Sequence, residues 1–354
     1  MYINIAYLGY NDFRKFKRGV ENVIHFQSRS HNLRCKYYLF FNNKNEIFHR
    51  DNIIHIGIKN TFILKYIILN AVLIKLRKKR VIIHSHNYLM SLLSIFRTNI
   101  FTVHDAIYYQ RKSNKDKFRY LFYFIEKLVY LKCQKIHFIS QYALNQSLIN
   151  HHQLKKSIII YNTTPFEGID NNEISPYKSN NSYNLFAVRG IQKRTRIDLL
   201  IDFASFIKDK RIYGKNVNIY IAGKGPLLEE YRNLIKERKL NNIFLLGYVD
   251  DQKIVNYYKN CDMVIMPCEY AEGFGLPIIE GYYYNKPVIA SNRCAVPEII
   301  ISPEFLFENT PIDIYNTIIN SHNNMNFKNY YNERFSSLKI QEELSKVYNS
   351  IANL

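Results

Sequence analysis

The sequence predicts two doubly wound α/β domains, and three observations carry that prediction. Short Ile, Val, Phe and Tyr runs alternate with longer amphipathic stretches almost throughout, the pattern of βα units around parallel sheets. Between Thr163 and Ser182 the rhythm stops, and Pro165, Gly168, Pro176 and a crowd of Asn and Ser read as a linker. The chain has 354 residues, which at roughly 150 residues per domain makes about two domains.

In chain order, Tyr2–Leu8 is a near-continuous apolar run, as expected of a strand buried on both faces. Similar runs predict strands at Cys35–Phe41, Val81–His84, Ile100–His104, Ile136–Ile139 and Ile158–Tyr161. Helical periodicity fills Val20–His31, Lys59–Arg77 and Lys115–Cys133. Beyond the linker, strands are expected at Asn184–Val188, Val217–Ala222, Ile243–Leu246, Met263–Pro267 and Pro287–Ala290. Helices are expected at Ile197–Lys208, Leu227–Lys239 and Asp251–Asn260. The expected division is a first domain over 1–165, a linker over 166–182, a second domain over 183–335, and a closing helix over 336–354 that returns to the first domain. Ligands of such sheets bind beyond the carboxyl ends of the strands, so two facing domains imply a cleft.

With 47% hydrophobic and 22% charged residues, disorder and collagen-like architectures are excluded. Lys+Arg exceed Asp+Glu by 49 − 29, a net charge of +20, with a pI near 9.5. That excess favours nucleic acid, phosphorylated ligands or an acidic membrane, although an AT-rich coding sequence would also enrich lysine. Five scattered cysteines, Cys35, Cys133, Cys261, Cys268 and Cys294, argue against a disulfide framework or structural zinc and suit a reducing cytoplasm. No apolar run reaches the roughly 18 residues of a membrane span. Met1–Tyr10 carries no basic leader and reads as a strand.

The chemistry concentrates in Glu272-Gly-Phe-Gly-Leu-Pro-Ile-Ile-Glu280, directly after a strand. Two glycines and Pro277 mark a tight loop opening a helix, whose free N–H groups and dipole suit phosphate. Glu280 then sits about one turn into the helix, and Glu272 stays in the loop. Carboxylates there can accept hydrogen bonds from sugar or ribose hydroxyls; on composition alone, a capped loop with two solvated glutamates explains the stretch equally well.

Glu272 and Glu280, with 280 − 272 − 1 = 7 residues between them, resemble the paired glutamates of the retaining glycosyltransferases of the glycogen-synthase-like family 4. Lys286-Pro-Val-Ile-Ala-Ser291 and Pro297-Glu298-Ile299 resemble that family too. The resemblance implies the GT-B fold, two Rossmann-like domains facing across a cleft, with Glu272 contacting the donor sugar and Glu280 the nucleotide ribose. It also implies that the amides of Gly273, Phe274, Gly275 and Leu276 surround sugar and diphosphate. Ile221-Ala-Gly-Lys-Gly-Pro226 resembles the family's strand-to-loop turn, with Gly223 in it; Leu228 stands where a dehydrogenase fingerprint needs a third glycine. Gly247 and Tyr248 resemble the next strand exit, beside the base. Gly9 and Arg18-Gly19-Val-Glu21 resemble the first glycine loop, and Val103-His104-Asp105 the strand-end histidine facing donor and acceptor. Ser140 and Tyr161-Asn162 match turns closing the first domain.

When the sugar C1 bond to the nucleotide breaks, negative charge grows on the leaving diphosphate, and fixed cations there stabilise the transition state above the ground state. The resemblance assigns this to Arg189 and to Lys193 or Arg194, four and five residues on, without deciding between those two. Here Arg189 precedes Gly190, where the family's pattern has Gly before the Arg. A strand-end histidine is more often a structural hydrogen-bonder, so His104 carries both readings. His84 and His86, two apart, invite a metal reading without a third ligand in sequence. No two aspartates stand two residues apart, as a D-x-D cation site requires, and the resemblance implies neither metal nor cofactor.

Arg111–Cys133 places Phe118, Leu121, Phe122, Ile125, Leu128 and Val129 on one helical stripe among seven Lys and Arg, and Lys75-Leu-Arg-Lys-Lys-Arg80 adds a second basic cluster. This reads either as a core-packed helix with a solvated basic edge or as attachment to an anionic membrane. The resulting expectation is a cytoplasmic enzyme, peripheral on the inner face of the plasma membrane. It would transfer sugar from a nucleotide-sugar to a growing, lipid-linked surface polysaccharide of the O-antigen, capsule or lipopolysaccharide type. The alternatives are a nucleotide-sugar epimerase of the same architecture and a basic nucleic-acid-binding protein, for which no recognition motif is present.

Overall fold

The computed structural model describes residues 3–12, 19–28, 33–113, 115–169, 175–177, 181–321 and 325–353. Arg18, the end of the expected first helix (29–31) and part of the expected linker (170–174, 178–180) lie outside them. The chain forms two compact units, Met1–Pro165 with Ser337–Leu354, and Phe166–Ser336.

The first unit runs β1 (Ile3–Leu8), α1 (Gly19–Gln27), β2 (Leu33–Asn42), β3 (Glu46–Arg50), β4 (Ile53–Lys59), α2 (Leu64–Arg77), β5 (Val81–Ser85) and α3 (Tyr88–Leu93). It continues through β6 (Ile100–Val103), α4 (Ile107–Ser113), α5 (Arg119–Lys132), β7 (Lys135–Phe138), α6 (Gln141–Gln146), α7 (His151–Leu154) and β8 (Ser157–Ile159). Among the described residues its strands form one sheet in the order β3-β4-β2-β1-β5-β6-β7-β8, parallel except for the antiparallel β3–β4 pair. That hairpin corrects the sequence reading, which began a helix at Lys59. Lys59 instead closes β4, and the helix starts at Leu64. His55, Gly57 and the charged ends of β3 interrupt the apolar run that would have announced these strands.

The second unit runs β9 (Ser182–Val188), a 3-10 turn (Lys193–Thr195), α8 (Ile197–Phe206), β10 (Asn216–Ala222), α9 (Leu228–Glu237), β11 (Ile243–Gly247), α10 (Asp251–Asn260) and β12 (Met263–Met266). There follow α11 (Leu276–Tyr283), β13 (Val288–Ser291), α12 (Val296–Ile299), β14 (Leu306–Phe307), α13 (Pro311–Asn320) and α14 (Phe327–Arg334). Its described strands form a parallel sheet ordered β11-β10-β9-β12-β13-β14. The strand order reverses between β9 and β12, so the loops leaving those two strands diverge and open a crevice at their carboxyl ends.

The final helix, α15 (Ser337–Ala352), belongs to the first unit. Ile340, Leu344, Tyr348 and Ile351 recur at spacings of four, four and three, one helical stripe, and pack against Ile5, Tyr7, Phe40 and Ile82. Full burial of an aliphatic or aromatic side chain stabilises by about 1.5–3 kcal/mol, so this helix is an integral part of that core.

Candidate active site

The second unit gathers the site from five strand exits. After β9, Arg189 is 7% exposed, and its Nη2 donates to Glu272 Oε2 at 2.8 Å. Its Nε–H is buried with no hydrogen-bond partner. Arg194 donates to the Ala271 carbonyl at 2.8 Å and lies 3.8 Å from the same Glu272 oxygen. Lys193 is exposed in the 3-10 turn; of the two cations left open by the sequence, the one that reaches Glu272 is Arg194.

The exit of β10 clasps the exit of β9. Arg189 N–H donates to Ala222 O at 2.9 Å, and Ile191 N–H to Lys224 O at 3.0 Å. The approach is so close that a Cβ on Gly223 would sit 1.9 Å from Arg189 O, and one on Gly225 would sit 2.0 Å from Ile191 O. Gly223 also has φ +145°, a backbone conformation that L side chains rarely adopt. Gly223 N–H donates to Gly247 O at 2.7 Å, which joins the β11 exit to the other two. Tyr248 follows, 63% exposed, with Lys224 Nζ 5.3 Å from its ring centroid.

The loop from β12 to α11 is held from both sides. Glu269 N–H donates to Arg194 O at 2.8 Å, and the Glu269 carboxylate pairs with Arg196. Asn309 donates to Cys268 O at 2.9 Å and to Glu269 at 3.0 Å, and Ser291 of β13 donates to Asn309. Gly275 stands in the left-handed region immediately before α11, and its N–H donates to Glu272. Gly273 and Phe274 are buried beside it, and Leu276 opens the helix. Arg196, Glu269 and Asn309 escaped the sequence reading, because they pair over long sequence separations that no local pattern reveals.

The two glutamates differ electrostatically. Burial pushes the Glu272 carboxyl up, but the charges of Arg189 and Arg194 and the bonds from Arg189 and Gly275 hold it below the usual carboxylate range. Glu280, in α11, is buried and accepts from Tyr258 Oη at 2.6 Å. Burial outweighs that bond and pushes its carboxyl up to about 7.

His104 and Gly19 belong to the first unit. Gly19 opens α1. His104 Nε2 lies 2.9 Å from His86 Nδ1, and His86 stacks on His84 at 4.5 Å. His84 bonds Tyr348 Oη of α15 at 2.9 Å and Thr102 at 2.7 Å; Thr102 in turn bonds His137. Burial holds all four histidines neutral, reinforced at His84, His86 and His104 by neighbouring imidazoles, with His104 lowered to about 3 and His137 to about 4. His86 Nε2 is buried without a partner. A bare lone pair costs less than a bare N–H, which puts the shared proton on His86 Nδ1 and leaves His104 protonated on Nδ1. Among the described residues no three His, Cys, Asp or Glu side chains are grouped to hold a metal ion, and no helix is long and apolar enough to cross a membrane.

A family model described as "Glycosyl transferases group 1" matches residues 170–334, which include every second-unit residue of this site; Gly19 and His104 of the first unit lie outside the match. An uncharacterized glycosyltransferase of Methanocaldococcus jannaschii is 28% identical over 250 residues, covering 68% of this chain and 65% of that protein. The O-antigen biosynthesis glycosyltransferase WclY of Escherichia coli is 28% identical over 213 residues, covering 55% and 56%. The matches thus span less than two thirds of these curated relatives. Among solved structures, Anabaena HepE in complex with UDP and glucose superposes with a TM-score of 0.75 at 16% identity, covering 99% of this chain and 100% of that one. The sucrose-phosphate synthase of Thermosynechococcus elongatus gives 0.71 at 15%, covering 99% of each. These likenesses show the fold, two Rossmann-like domains of the GT-B type.

Proposed function

We propose that this chain, whose second unit matches the group 1 glycosyl transferases, is a metal-independent glycosyltransferase. It would move a sugar, with retention, from a nucleotide-sugar to a hydroxyl of a growing, lipid-linked surface polysaccharide. The observation that carries this reading is Arg189. Its guanidinium is nearly buried and tied to one carboxylate, yet its Nε–H has no partner, and a buried unpaired donor is costly unless a ligand completes it. A diphosphate oxygen supplies what it lacks. As the C1–oxygen bond breaks, charge moves onto that diphosphate, where Arg189 and Arg194 stand ready without reorganising. In the retaining reading the leaving diphosphate helps to deprotonate the acceptor hydroxyl on the same face.

Glu272, kept ionised by the two arginines, accepts from donor-sugar hydroxyls, and Glu280 accepts from the ribose. Gly273 to Leu276 offer backbone amides to sugar and phosphate, Gly19 and Gly223 let backbone approach the diphosphate, and Tyr248 offers its exposed ring to the base at Gly247. His104 donates to the sugar from Nδ1. UDP-bound structural neighbours and relatives named for O-antigen synthesis support the substrate classes.

The test screens nucleotide-sugars by thermal shift and then measures transfer and the anomeric configuration of the product. Arg189→Ala should lower the transfer rate about 10²–10³-fold, the usual effect of removing one transition-state contact, and Glu280→Gln should lower it at limiting donor by weakening ribose capture. Near-normal rates in both would overturn the assignment, and a rearranged donor released without acceptor would make the enzyme an epimerase.

A further inference from the structure

The net charge of this protein is not spread along the chain. Residues 52–166 hold 18 Lys and Arg against three Asp and Glu, a balance of +15 out of +20. Of those three acids, Glu126 is buried and bonds the Tyr108 and Leu148 amides, and Asp116 pairs with Arg111. A coding bias toward lysine would not concentrate charge in this way.

The same segment contributes an apolar surface. Leu8 pairs in register with Ser85, and Ser85 with Phe101, so these side chains leave one face of the first unit's sheet. On that face α2 buries Leu69 and Leu73 against Leu8 and Met90 of α3. Tyr130 of α5 meets Phe101 and Tyr88 of α3 at 6.3 and 6.4 Å. The three helices therefore form one layer with α3 in the middle. Stitches between them are polar: Asn70 of α2 bonds Leu93 O and Ile95 N–H, while Lys132 of α5 bonds Ser91 O and Leu92 O. The outer side of the layer exposes large apolar side chains, with Ile67 at 60%, Ile95 at 59% and Phe124 at 61%. Leu121, Phe124 and Leu128 follow one another at three and four residues and are exposed, so α5 carries an apolar stripe about a quarter-turn from Ile125 and Val129, which face the core. Leu121 and Leu128, placed on the core stripe by the sequence, belong to this exposed flank.

We propose that this helix layer is a docking surface for an anionic lipid bilayer, with Ile67, Ile95, Leu121, Phe124 and Leu128 entering the acyl boundary and the surrounding lysines and arginines meeting lipid phosphates. Apolar side chains on a helix face rimmed by basic residues are the composition that seats in a bilayer interface. A second copy of this chain would bring the same positive charges against each other, so charge complementarity selects the membrane over self-association. This inference goes beyond the transfer reaction and is read out without it.

The experiment is co-sedimentation of the full chain with vesicles of phosphatidylcholine, with and without phosphatidylglycerol. Binding is expected to the anionic vesicles, weakening as salt is raised. The variant Leu121→Ser/Phe124→Ser/Leu128→Ser should lower the affinity on the order of tenfold or more, with an unchanged melting temperature. Lys65→Gln/Lys75→Gln/Lys127→Gln should lower it similarly at low salt, which secures the test if the serine variant folds poorly. Absence of binding to anionic vesicles, or binding that neither variant weakens, would overturn the proposal. So would a concentration-dependent dimer that the serine variant dissolves, because the face would then belong to a second copy.

Discussion

Glu272 and Glu280 stand eight positions apart, and their surroundings send their carboxyls in opposite directions. Two guanidinium groups keep Glu272 ionised, whereas Glu280 has burial against it and one phenol for it. With Glu280 near 7 in the fold and about 4.3 in an unfolded chain, the folded protein holds a proton that the unfolded one releases. Its contribution to stability is therefore complete below about pH 4.3 and is lost as pH rises through about 7. Denaturant titrations of wild type and Glu280→Gln should show wild type losing stability between about pH 5 and 8 while the variant loses less. Parallel pH slopes would mean that Glu280 titrates as an ordinary carboxyl. On the proposed ribose contact, the ionised carboxylate is the stronger acceptor, so donor capture would be coupled to proton release from Glu280.

At the scale of elements, the site depends on how one strand exit grips another. Ala in place of Gly223 would drive a Cβ into Arg189 O and hold a strained φ. The expected result is a loss of about 2 kcal/mol or more in stability together with weakened nucleotide binding, because the displaced backbone is that of Arg189. Calorimetry on Gly223→Ala would check both, and an unchanged melting temperature with unchanged affinity would refute the clasp. Much of this architecture was legible beforehand. A doubly buried strand such as β12, Met263–Met266, is apolar without a break, and amphipathic helices such as α10 were located to the residue. The β3–β4 hairpin was not, since His55 and Gly57 break its pattern. Glu272, Glu280 and Arg189 could be read from local motifs; the Arg196–Glu269–Asn309 support could not, because its members come from three separate loops.

For the whole molecule, the decisive feature is that residues 337–352 complete a core begun by residues 3–8. Tyr348 Oη bonds His84 and approaches Tyr7 Oη at 3.3 Å, so α15 reaches the histidine network as well as the apolar core. Removing residues 337–354 should destabilise the 1–165 unit while the 166–336 unit keeps its own transition. Limited proteolysis followed by mass spectrometry would show cleavage concentrated before residue 165. Equal protection of both units would show that the helix is dispensable.

This arrangement also sets a timetable on the ribosome. The middle of the chain is contiguous and can fold as soon as it emerges, whereas the earliest-made portion must wait for the last. At about 5–20 residues per second, the interval between residue 165 and residue 352 is roughly 10–40 s. Throughout that time the nascent first sheet has one flank uncovered, which makes it the natural client of chaperones during synthesis.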